Sequence, residues 1–106
     1  MVVELREYKT LPGQRQNWVD YMEEVIIPFQ RAKGMTIVGS FVGSEDENTY
    51  VWIRTFADES ERTRLYAAVY QTPEWEDEIS LRVAEMLDRD RIKVTLLDPT
   101  PASAIG

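Results

Sequence analysis

Val2 to Tyr8 alternates, with Val3 and Leu5 on one side and Glu4, Arg6 and Tyr8 on the other, and this two-residue period predicts a strand. After the turn in "TLPGQ", the apolar positions Trp18, Met22, Val25, Phe29 and Ala32 recur at steps of four and three. That is the inward stripe of an α-helix running from about Gln14 to Ala32. Pro28 falls inside the stripe without an amide to donate, which predicts a kink just before it, and Gly34 is placed to end the helix in the left-handed conformation. Met35 to Val42 and Thr49 to Phe56 read as antiparallel strands joined by the hairpin loop "GSEDEN". Asp58 and Glu61 match a capping box that opens a helix through about Tyr70, with Leu65, Ala68 and Val69 inward. Thr72 as a cap and Pro73 at the first helical position open another, whose stripe is Trp75, Ile79, Val83 and Met86. Trp75 reads as the anchor of that helix start, and its acidic neighbours Glu74, Glu76 and Asp77 suit the positive end of the helix dipole.

Arg91 to Leu97 alternates again and predicts a fourth strand, followed by a Pro-rich extended tail. The order β-α-β-β-α-α-β is a split βαβ arrangement of the ferredoxin-like type: an α+β fold with helices on one face of a four-stranded antiparallel sheet. Residues 1–98 make the domain and 99–106 the tail. Such a sheet should show a polar outer face, yet the third strand carries Tyr50, Trp52, Arg54 and Phe56 on one side and Val51 and Ile53 on the other. The second strand sets Ile37 and Phe41 against Val38 and Val42. Both faces read as buried, so the pattern does not decide which one meets the helices. An apolar sheet face without a cover is an association surface, and a homodimer with stacked sheets is expected.

Five blocks carry a resemblance to a known family: "VVELREYKTLPGQ" with Glu4, Arg6, Tyr8, Pro12 and Gly13; "GMTIVGSF" with Gly34 and Gly39; "YVWIRTF" with Trp52; "FADESERTR"; and Pro73-Glu74-Trp75. In this order, over Val2 to Ile79, they resemble the NIPSNAP family of the dimeric α/β-barrel superfamily. The resemblance implies a ferredoxin-like subunit whose sheet packs on a partner's to close a barrel. It implies no single reaction. Relatives commonly carry a His before the glycine at position 34, where this chain has Lys33.

A chain of 106 residues has room for one core. With 12 basic and 19 acidic side chains it carries a net charge of −7, which opposes nucleic acid and anionic membrane as partners. Cysteine and histidine are absent, which removes disulfides, Cys/His zinc sites, His-ligated haem and His-dependent catalytic sets. No cofactor is expected. The acids Glu45, Asp46 and Glu47 lack the spacing of a calcium loop and read as a solvated hairpin, so no metal is expected either. No apolar run approaches the length of a membrane span, and a soluble cytoplasmic protein is the default.

The candidate chemistry sits on the first and third strands, where Glu4, Arg6, Tyr8, Trp52 and Arg54 fall on corresponding sides of neighbours. In one reading they form a ligand pocket: Arg6 or Arg54 binds an anionic or enolate oxygen, Tyr8 donates a hydrogen bond or proton, and Trp52 stacks on a flat molecule. In the other, Glu4 and an arginine are a buried pair and the aromatics fill a seam. Trp18, Tyr21 and Phe29, and likewise Tyr66 and Tyr70, are read as core before pocket. Two functions follow. One is a homodimeric binding protein for a small apolar or aromatic molecule. The other is a cofactor-free oxygenase or isomerase acting on an aromatic or enolisable substrate, with Glu4 as the available base. A haem enzyme is weakened by the missing axial histidine.

Overall fold

A computed structural model describes residues 1–105. Four strands, β1 (Val2–Lys9), β2 (Thr36–Val42), β3 (Thr49–Phe56) and β4 (Lys93–Leu97), form an antiparallel sheet in the order β2-β3-β1-β4. Between β1 and β2 runs one helical rod made of α1 (Arg15–Tyr21), a π-helical segment (Met22–Ile26) and α2 (Ile27–Ala32). Helix α3 (Glu59–Tyr70), a second π-helical segment (Glu74–Ile79) and α4 (Ser80–Met86) lie between β3 and β4. This is the ferredoxin-like α+β arrangement that the element order predicts. No helix among the described residues is long and apolar enough to cross a membrane.

The face of β1 and β3 that carries Glu4, Arg6, Tyr8, Tyr50, Trp52, Arg54 and Phe56 is the one under the helices: Glu4 and Arg54 are fully buried, and Tyr50, Trp52 and Phe56 nearly so. The helices answer with Trp18, Met22, Ile26, Leu65, Val69, Ile79, Val83 and Met86 in one continuous core. Burying each large apolar side chain contributes about 1.5–3 kcal/mol.

Two irregularities shift the predicted faces. Pro28 removes an amide, and the turn before it widens to the π form, so the inward stripe advances by one residue. Ile26 and Gln30 are buried where Val25 and Phe29 were expected, while Val25 and Ala32 face outward. In β2, a bulge between Ile37 and Gly39 breaks the alternation. Ile37 pairs with Arg54 on the helix side and Phe41 with Val51 on the open side, so these two do not share a face.

Local signals worked where side-chain chemistry fixes a terminus. The Asp58 carboxylate accepts from the Glu61 amide at 2.8 Å, and the Glu61 carboxylate reaches back to the Ala57 amide at 3.2 Å. The Thr72 hydroxyl accepts from the Trp75 amide at 3.2 Å with Pro73 already helical. Gly34 ends the first rod at φ +105°. The tail beyond Asp98 folds against Val3, Ile53 and Leu97 on the open side of the sheet, with Gly106 outside the described residues.

Candidate functional site

The register of β1 on β3 pairs Glu4 with Arg54, Arg6 with Trp52 and Tyr8 with Tyr50, which brings the five residues singled out on these strands onto one surface beneath the helices. There they divide into two groups. Arg6, Tyr8 and Trp52 wall a cavity of about 230 Å³, lined from the helical side by Trp18, Tyr70 and Trp75 among others. Glu4 and Arg54 are not in its wall. They form the buried pair of the structural reading, set behind the cavity.

That pair is the centre of a dense polar network. Arg54 donates to Glu4 Oε1 from Nε at 3.0 Å and from Nη2 at 2.5 Å, and its Nη1 donates to Gln30 Oε1 and the Tyr70 hydroxyl, both at 2.8 Å. Arg62 Nε and the Tyr66 hydroxyl donate to Glu4 Oε2, the former at 2.9 Å. The guanidinium of Arg54 also lies 4.7 Å from the Trp52 ring centre and 5.2 Å from that of Tyr66. Burial pushes the Glu4 carboxyl up. The Arg54 charge and the hydrogen bonds from Tyr66, Arg54 and Arg62 outweigh it, so Glu4 ionises below its ordinary 4.5. A carboxylate held this way is a poor proton acceptor for anything in the cavity, which corrects the reading of Glu4 as an available base.

Arg6 connects the network to the cavity. Its Nε donates to the Tyr8 hydroxyl at 2.7 Å, and its Nη1 donates to the Tyr66 hydroxyl at 3.2 Å and stands 3.6 Å from Glu4 Oε1. Burial raises the Tyr8 hydroxyl above its usual pKa, more than the neighbouring Arg6 lowers it, so Tyr8 keeps its proton at neutral pH.

A model of the NIPSNAP family matches residues 3–104. The chain belongs to the NIPSNAP family. The match runs past Asp98 into the tail. Among solved structures, a NIPSNAP-like domain protein from Burkholderia xenovorans is 24% identical, with a TM-score of 0.86 over 96% of this chain and 87% of that one. A NIPSNAP family protein of unknown function from Agrobacterium tumefaciens is 20% identical, with a TM-score of 0.89 over 100% of this chain and 94% of that one. An antibiotic biosynthesis monooxygenase is 18% identical, with a TM-score of 0.67 over 95% of this chain and 100% of that one. At such identities these likenesses show the fold alone. No curated protein sequence matches the chain.

Several parts of this NIPSNAP site lay outside the sequence reading. Trp75 is more than a helix anchor: its ring meets Tyr70 edge-on at 4.6 Å and lines the cavity. Tyr66 and Tyr70 are packed, as expected, but their hydroxyls serve the network and Tyr70 also walls the cavity. Arg62 and Gln30 gave no signal, because an arginine in a charged helix start and a glutamine one step off the apolar stripe both look solvated. The loop acids do not gather: Asp46 is tied to Lys9 Nζ at 2.7 Å and to the Asn48 amide at 2.9 Å, which closes the hairpin. Lys33 is exposed, with Nζ 5.6 Å from the Phe29 ring centre.

Proposed function

We propose that this NIPSNAP protein binds a small apolar or aromatic molecule in the cavity between sheet and helices, and that it does so as a homodimer. The observation that carries the first part is that all three tryptophans of the chain, with Tyr8 and Tyr70, wall a single space of about 230 Å³. Aromatic walls with a few convergent polar groups make a small-molecule site. An apolar space of about 150 Å³ already holds benzene, so this one suits one or two rings. Titration with benzene- to naphthalene-sized compounds is expected to change tryptophan emission and raise the thermal midpoint. Emission and midpoint that stay fixed across the whole series would contradict the reading.

A cofactor-free oxygenase or isomerase is the second reading. Arg6 in the wall is suited to stabilising an enolate, and the fold resembles that of an antibiotic biosynthesis monooxygenase in shape. Against it, no carboxylate among the described residues lines the cavity, and Glu4 is committed to its arginines. The binding reading needs no base.

The open side of the sheet supports the dimer. Leu5, Val51, Ile53 and Phe41 share that side, and Phe41 is 53% exposed. A second copy of the same side would cover it with like surface. Light scattering is expected to give twice the 12.3 kDa chain mass, and Ile53→Lys to halve it. A single-chain mass for the unaltered protein at micromolar concentration would remove the dimer.

A further inference from the structure

The cavity offers donors and almost no acceptors. Because the Tyr8 hydroxyl accepts from Arg6 and the Tyr70 hydroxyl from Arg54, each has its own proton left over, and neither proton has an acceptor among the described residues. Trp18 and Trp52, two nearly fully buried residues of the wall, each carry a buried indole N–H that is likewise without a partner. Buried donors left in this state cost free energy unless something supplies an oxygen. Ser80, the other hydroxyl in the wall, already accepts from Arg89 at 2.9 Å.

Charge points the same way. Among the described residues the wall contains Arg6 and Arg89 and no aspartate or glutamate, in a chain whose net charge is −7. Behind the wall, Glu4 answers Arg54 at 2.5 Å and the exposed Glu59 answers Arg62 at 3.0 Å. Arg6 is left with the already occupied Glu4 oxygen at 3.6 Å. A largely buried guanidinium without a carboxylate of its own favours an anion, and its fork matches a planar carboxylate.

We infer that the ligand is a small aromatic acid, with its ring among Trp18, Trp52, Trp75 and Tyr70 and its carboxylate on Arg6 and the Tyr8 hydroxyl. This rests on the binding function proposed above and names the chemical class for that same cavity. The test is calorimetric titration at pH 7 with benzoate and 2-naphthoate against their neutral amides, benzamide and 2-naphthamide, which keep ring and shape. The acids are expected to bind about 10- to 100-fold more tightly, the span of a charge-assisted hydrogen bond. Arg6→Gln should level acid and amide, whereas Arg64→Gln, at an exposed arginine outside the wall, should leave the preference in place. Equal binding of acid and amide overturns the anion assignment and leaves the cavity as a neutral aromatic site. Loss of the preference in Arg64→Gln alone overturns the assignment to Arg6. No binding by any of the compounds overturns both the assignment and the function beneath it. The wild-type comparison decides between acid and amide even if Arg6→Gln fails to fold.

Discussion

Arg54 and Glu4 show how a charged pair on a sheet face can be structural while its neighbours wall a cavity. Both side chains are fully buried, so removing one partner leaves the other charged without water. Arg54→Met is therefore expected to cost about 3–5 kcal/mol in urea denaturation, the range for breaking a buried pair. A loss below about 1 kcal/mol would instead mark an exposed, weakly coupled pair. The Glu4 pKa gives the same interaction a pH signature. Burial raises it, the Arg54 charge and the hydrogen bonds lower it further, and the folded value lies below 4.5. A depressed carboxyl contributes stability above its unfolded pKa and loses it as pH falls through the folded one. The urea midpoint should hold from neutrality down to about pH 5 and drop below 4.5, and Glu4→Gln should flatten that drop. An equally steep drop in Glu4→Gln would assign the acid sensitivity elsewhere.

At the scale of elements, periodicity and caps were legible and phase was not. The strands β1 and β3, the capping at Asp58 and Thr72, and the left-handed Gly34 follow from local rules that tertiary contacts here do not override. The π segment Met22–Ile26 and the bulge in β2 each add a fraction of a turn or one residue, and every later side chain then changes side. That is why Gln30 reached the polar network unannounced and why Ile37 and Phe41 parted. Pro28 signalled a disturbance without its size; the bulge had only Gly39 near it, a residue that also fits a plain strand. Both π segments contribute to the cavity wall, Met22 and Ile26 from one and Trp75 from the other, so the same widening that hid the phase shapes the site. Gly34→Ala tests the helix end. The position has φ +105°, and an added Cβ would stand 3.2 Å from Leu65 Cδ2. A loss of about 1–3 kcal/mol is expected by thermal unfolding, and an unchanged midpoint would mean the rod ends in another way.

For the whole molecule, the two sides of the sheet differ in character. The helix side holds the ion pair and, beside it, a cavity rich in donors; the open side presents Leu5, Val51, Ile53 and Phe41 with the tail along one end. The sequence carried the five strand residues and the family resemblance, but their division into wall and support depends on depth, which alternation does not encode. Trp18 and Trp52 are the most direct reporters on the central claim, that this cavity is a ligand site, because both residues line it and their indole N–H groups are buried and unpartnered. The decisive measurement is a ¹H–¹⁵N correlation spectrum of the three indole signals during titration with 2-naphthoate. The Trp18 and Trp52 signals are expected to move together, saturating at one ligand per chain. Indole signals that stay fixed while backbone amides elsewhere shift would place the ligand outside the cavity and contradict it.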